Sequence, residues 1–424
     1  LYNGGQAART FFGTWKRTLD GKHYVNQTYD ERRWAVAAAA CKRVINMNRY
    51  SLHTSIPMPG KEPRPLPATV QITDPQFQDI DYYLSYADMF TGESQVTKNP
   101  EFIWAIKSKA MQDMTQYSFP VKDIMGGYNV LCLTQKLVDA YYMVDGRDKD
   151  KASEEYPYHV TAGMVSEDYF STKEESFSGY KIPVGVYGMY LNRENRFYAT
   201  VGFSGRYWTA SSCADTKYNA FTVFYDQRST SGKTLFAGKG SSLESNLNYP
   251  STGYVLTKWI HPSDAWNGNG SARTDKYFPI IRYAEILLGY AEALNHLTQS
   301  YTVELGAIKG GNQPMESYTV SRDMAEIKKN FDQIRNRVGL PGLTNEELSL
   351  GEEAINNLIK RECMIEFACE NRRYYDVDYV PMRLLYEKDG RSVDIPASLD
   401  WEYLSAKEFY DLMRGGTRVR TAQV

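Results

Sequence analysis

From residue 279 the chain is written in one period, and that period constrains the fold more than any other feature. Ile280, Ala284, Leu287, Ala291 and Leu294 recur at helical spacing, and Ile286, Tyr290 and Ala293 widen the stripe. Pro279 suits the first helical position. Ser321 is expected to cap a second helix carrying Met324, Ile327, Phe331, Ile334 and Val338, with Gly339 and Pro341 as its stop. A third helix is expected from about Glu352 to Cys369, with Ile355, Leu358, Ile359, Ile365 and Phe367 inward. Near the other end, Glu31 to Met47 repeats the pattern with Trp34, Ala38, Cys41 and Ile45. Its small residues, Ala35 to Ala40, let a neighbouring helix approach, as in a helical hairpin.

The middle of the chain breaks this period. Pro57, Pro59, Pro63, Pro65 and Pro67 exclude a helix or a central strand. Ile80 to Met89, Pro100 to Ala110 and Thr134 to Val144 read as short helices, and Gly126-Gly127 as a turn. Phe197 to Phe203, Thr222 to Tyr225 and Tyr254 to Ile260 read as short β runs among Gly, Ser and Asn clusters. The expected class is mostly α, a TPR-like helical-hairpin scaffold with long irregular loops and minor β.

Several functions are excluded or weakened. Lys and Arg number 49 against 51 Asp and Glu, so no basic field exists to hold nucleic acid. No apolar run reaches the ~18 residues that span a bilayer. The chain opens Leu1-Tyr2-Asn3-Gly4-Gly5, without a signal peptide, and reads as a processed form or a fragment. The five cysteines show no CxxC pairing and are read as buried thiols. The five His lack metal-ligand spacing, so neither a metal nor a cofactor is expected. Gly232-Lys233-Thr234 lacks the earlier Gly of a phosphate loop, and Asp145, Asp148 and Asp150 lack the Gly and Glu of a calcium loop.

One acidic constellation remains. Glu362, Glu366 and Glu370 fall at i, i+4 and i+8 on one helix face. Paired carboxylates cleave glycosidic bonds, which makes Glu362 and Glu366 the catalytic candidates. They read better as an ion-paired face, with Arg361, Arg372, Arg373 and Lys360 nearby in sequence.

The aromatics offer a different chemistry. Tyr is twice as common as Phe, 34 against 17. A flat ring covers the C–H face of a sugar, and Asn, Asp or Arg bonds its hydroxyl rim. Loop positions that suit this are Tyr82, Tyr128, Tyr207 and Trp208 after Arg206, and Trp266 with Asp264, Asn267 and Asn269. Trp34, Trp104, Trp259 and Tyr283 lie in regular segments and read as packing.

Five ordered segments resemble the SusD/RagB family of Bacteroidetes surface glycan-binding lipoproteins. They are TQKLVDA from Thr134, NRENRFYATV from Asn192, IRYAEILL with YAEALN from Ile281, FDQIRNRVGLP from Phe331, and the Glu362, Glu366, Glu370, Arg372-Arg373-Tyr374-Tyr375-Asp376 series. The opening LYNGG is also like the family's. Cys369 and Asn371 depart from its commoner residues, and the first TPR-like helices and the lipid-anchored Cys would precede this chain.

The resemblance implies one SusD-like domain over 1–424. Residues 1–56 would end a TPR-like scaffold, 57–278 would form the ligand-binding loops, and 279–424 the C-terminal helices and tail. It implies non-catalytic binding of an oligosaccharide or polysaccharide at the outer face of the outer membrane. The ligand would be delivered to a SusC-type TonB-dependent transporter. The alternatives are a peptide-binding family member and a glycoside hydrolase using Glu362 and Glu366.

Overall fold

The computed structural model describes residues 9, 12–93, 98–107, 109–159, 170–241, 243, 248–268, 270–306, 315–372, 383–388, 391–394 and 419–422. The LYNGG segment, Asn269 and the run from Arg373 to Asp376 lie outside the described residues. The chain divides into two compact units, Leu1–Asp30 with Tyr374–Val424, and Glu31–Arg373. In the first, strand Arg383–Lys388 pairs antiparallel with both Arg391–Asp394 and Val419–Ala422.

The second unit holds the helical scaffold. Its longer helices are α1 (Glu31–Asn46), α2 (Leu84–Thr91), α3 (Lys109–Ser118), α4 (Tyr283–Asn295), α5 (Met324–Asn336) and α6 (Glu352–Glu366). Ala35, Ala38 and Ala39 are fully buried, so α1 and α4 pack closely, as the small-residue run anticipates. The Trp34 ring stacks on His296 just past α4, with centroids 4.3 Å apart. The other faces of α4 meet α5 and α6. Ile327, Phe331, Ile334, Ile355 and Ile359 close this core.

Helix boundaries differ from the sequence expectations for identifiable reasons. Pro279 does not start α4. It sits in strand Tyr277–Arg282, opposite Ala105 of strand Phe102–Lys107. The same pairing replaces the helix expected over Pro100 to Ala110, because a cross-strand partner outweighs a short local pattern. Phe197 to Phe203 is mostly helical (Asn195–Thr200) and ends in the two-residue strand Val201–Gly202. The short helix expected from Thr134 does form over Gln135–Ala140, capped by the Thr134 side chain. Cys213 and Cys363 are buried as expected, but Cys369 is exposed.

The cap of α5 is Asp323 and not Ser321. Its Oδ1 accepts from the N–H of Ala325 at 2.9 Å and of Glu326 at 3.2 Å. Asp323→Ala should cost about 1 kcal/mol, seen as a lower urea midpoint at unchanged slope. Ser321→Ala, at an exposed position, should stay within about 0.5 kcal/mol of wild type. Equal shifts for the two would contradict the assignment.

Candidate functional site

The acidic series is buried and ion-paired, but only Glu362 and Glu366 share a face of α6: the helix stops at Glu366 and not near Cys369 as expected, because Cys369 turns the chain with a left-handed backbone, and Glu370 sits in that turn. Glu362 and Glu366 are inaccessible to solvent, and Glu370 nearly so. Arg196 Nη1 donates to Glu362 Oε1 at 2.6 Å and to Glu366 Oε2 at 3.0 Å. Arg335 adds a bond to Glu362 Oε2 at 3.2 Å. Glu366 Oε1 also accepts from Arg282 at 2.7 Å and from Arg337. Arg282 and Lys258 hold Glu370 at 2.8 and 2.5 Å. Glu101 and Glu194 complete the lattice against Arg282, Arg337 and Arg196.

Burial alone would raise these carboxyls. The guanidiniums around Glu362 and Glu366 outweigh burial, and Arg282 with Lys258 does so at Glu370, so all three sit below the ordinary carboxylate range. A general acid needs the opposite shift and a path to substrate. Two of the arginines nearby in sequence pair elsewhere, Arg361 with Asp148 and Arg372 with Glu285. Arg373 lies outside the described residues.

The candidate ligand site is a cleft beside strand Arg206–Thr209. That strand runs antiparallel to Ala220–Phe224, which pairs in parallel with Thr234–Phe236. Strand alternation sends Arg206 and Trp208 inward and leaves Tyr207 half-buried. Trp208 packs edge-on against Phe119, with centroids 5.6 Å apart. The Lys181 ammonium sits 5.0 Å from the Tyr207 ring centroid. Arg206, Tyr207 and Trp208 all line the cleft, which encloses about 840 Å³ of empty space including its mouth. Tyr83, Asp88, Tyr180 and His261 form other parts of its wall.

The remaining expected residues lie elsewhere. Tyr82 is in the scaffold core, its hydroxyl donating to Phe77 O at 3.1 Å; the cleft uses its neighbour Tyr83. Asp264 is fully buried and holds its own loop together. It accepts from the N–H groups of Thr274 and His261 at 2.8 Å each and pairs with Lys276 at 2.7 Å. Trp266 is half-buried, with the Arg273 guanidinium 4.7 Å from its ring. Exposed Asn267 rests against Gly126, two residues from half-buried Tyr128, whose ring lies 5.7 Å from that of Tyr117. The expected residues therefore divide into three in the cleft, three around the 126–128 turn and the Trp266 loop, and two in structural positions.

The polar groups of the cleft come from segments far apart in sequence. Asp88 accepts from the Ser55 hydroxyl at 2.8 Å, and burial pushes its pKa up to about 6. Glu93 meets His261 Nε2 at 2.5 Å, and His261 Nδ1 lies 2.6 Å from the Ser263 hydroxyl. Burial raises the Tyr83 and Tyr180 hydroxyls as well. Among the described residues no group of His, Cys, Asp and Glu is arranged to hold a metal ion, and no helix is long and apolar enough to cross a membrane. Rings along the walls with hydrogen-bonding groups between them suit a flat apolar face with a polar rim.

Residues 100–383 match the sequence model of the SusD family. No curated protein matches the chain in sequence. Among solved structures, a SusD-like protein from Bacteroides fragilis is 24% identical, with a TM-score of 0.47 over 82% of this chain and 51% of that one. A selenomethionine structure named BT4246 is 18% identical, with a TM-score of 0.54 over 87% and 59%. A SusD-like carbohydrate binding protein from Bacteroides fragilis is 16% identical, with a TM-score of 0.47 over 82% and 48%. The chain spans about half the length of these structures.

Proposed function

The chain belongs to the SusD family, and from that premise we propose that it binds a saccharide in the Tyr207 cleft without turning it over. The bound glycan is then passed to a SusC-type TonB-dependent transporter at the outer face of the outer membrane. The observation that carries the binding step is the convergence of Tyr83, Tyr180 and Tyr207 on one open cleft, with Asp88 and His261 between them. The acidic cluster that would support hydrolysis is enclosed by arginines, which favours binding over catalysis.

Affinity electrophoresis against a polysaccharide panel, followed by calorimetry, tests this reading. Tyr207→Ala should weaken binding about tenfold or more, as loss of an aromatic anchor does. Wild-type affinity in that variant would remove the cleft from consideration. Retention of peptides and of no glycan would transfer the proposal to a peptide importer. Pull-down of a barrel transporter with the full-length protein tests the delivery step, and its absence would leave binding alone.

A further inference from the structure

Two cations line the cleft, and neither makes an ion pair among the described residues, although Asp88 of the same cleft feels the Lys61 charge. Arg206 is 7% exposed, and its hydrogen bonds go only to neutral groups. Nη1 reaches Tyr198 O at 2.6 Å, Val201 O at 3.1 Å and the Tyr180 hydroxyl at 3.4 Å, while Nε has no partner. The Tyr180 and Trp208 rings lie 4.8 and 5.6 Å from Cζ. Arg196, Arg282, Arg335 and Arg337 are buried too, but each meets at least one carboxylate. Arg193 is the nearest parallel. It also bonds only carbonyls, but it is fully enclosed and does not line this cleft. Lys61, exposed at the rim with its stem over Gly179, makes no ion pair among the described residues.

The acids of the cleft are engaged differently. Glu93 is hydrogen-bonded to His261, and Asp88 accepts from the Ser55 hydroxyl. Burial raises Asp88 toward neutrality, so it opposes an anion less than an ordinary carboxylate would. Taking a guanidinium out of water without an anion is costly, and a ligand that supplies the anion recovers that cost. Arg offers a planar fork that fits carboxylate or sulfate oxygens.

We infer that the cleft takes an anionic saccharide, one bearing a uronate carboxylate or a sulfate ester, with Arg206 as the anchor and Lys61 at the rim. This rests on the saccharide-binding reading above. The ring walls hold the sugar, and the two cations select its charge.

Polygalacturonate and chondroitin sulfate are the probes, each beside its neutralised form, carboxyl-reduced in the first case and desulfated in the second. Affinity for at least one charged form should exceed that for its neutralised partner about tenfold or more, and should fall with added salt. The arm that responds identifies carboxylate or sulfate. Lys61→Glu should cut the charged-to-neutral affinity ratio about threefold or more, and Asp88→Asn, of equal size, should raise it about threefold. Both substitutions leave the buried Arg206 contacts in place. Equal affinity for charged and neutralised forms, or a ratio that neither substitution moves, overturns the anionic assignment and leaves saccharide binding standing. Retention of no glycan on a broad neutral and charged panel overturns both.

Discussion

Glu366→Ala should destabilise the Glu31–Arg373 unit by about 3–5 kcal/mol, the usual cost of removing one member of a buried ion pair. The reason is geometric. One carboxylate serves Arg196, Arg282 and Arg337 together, and none of the three is exposed enough to find water instead. Its removal leaves three buried guanidiniums short of charge. Glu366→Gln keeps the volume but not the charge, and should be nearly as damaging. Urea unfolding measures both. A variant with unchanged stability that lost release of reducing sugar would restore the two-carboxylate hydrolase reading.

Acid should do reversibly what the substitution does permanently. Glu362, Glu366 and Glu370 lie below the 4.5 expected for a free Glu, so the folded state binds fewer protons than the unfolded chain as pH falls. Their contribution is complete above that value and is lost as pH drops through their folded values. Glu194 runs the other way: burial raises it more than Arg196 lowers it, so its folded form favours the proton. Within the lattice, three groups against one give a net loss of stability on acidification, opposed outside it by Asp81 and Asp88, which burial raises. A melting temperature flat between about pH 4.5 and 2 would contradict the lattice.

The same lattice explains what the resembling segments have in common. Arg196 comes from NRENRFYATV, Arg282 from IRYAEILL, Arg335 and Arg337 from FDQIRNRVGLP, and the three glutamates from the last series. Four segments spread over about half the chain meet at one buried charge cluster. The i, i+4 spacing made the Glu362 and Glu366 face of α6 legible, because helical period is local information, whereas Glu370 joins the same cluster from the turn beyond the helix. Its partners were not legible, since they arrive from residues up to 170 positions away. The nearest-in-sequence arginines turned out to face other groups.

The cleft divides in the same way. Arg206, Tyr207 and Trp208 were readable as an aromatic segment beside a cation, but Tyr83, Asp88, Tyr180 and His261 join them only through tertiary packing. Tyr82 and Tyr83 differ by one position and by nearly everything else: one lies in the helical core, the other on the cleft wall. Composition cannot separate them. Pro279 shows the same limit for the fold, because its strand exists only through Ala105 across the sheet.

Gly127→Ala should cost about 3 kcal/mol and also loosen the cleft, although the residue touches no ligand position. Gly126-Gly127 reads as an ordinary turn, and Gly126 does adopt a left-handed backbone, with φ of +72°. Gly127 is glycine for a different reason. A Cβ there would overlap the carbonyl of Phe119, which is backbone and cannot rotate aside. Phe119 is itself fully buried and packs on Trp208, between Arg206 and the cleft-lining Thr209. Any backbone shift that admits the methyl therefore passes to strand Arg206–Thr209 through two rings. Gly253→Ala is the control: its φ is +83°, nothing lies within 4 Å of the added carbon, and only the backbone term of about 1 kcal/mol applies. Thermal melts and Trp near-ultraviolet dichroism separate the two. Gly127→Ala should lose stability and signal together, while Gly253→Ala should lose a little stability and keep the signal. Equal behaviour would mean that the Phe119 carbonyl yields without moving Trp208, and that the cleft is mechanically independent of the turn behind it.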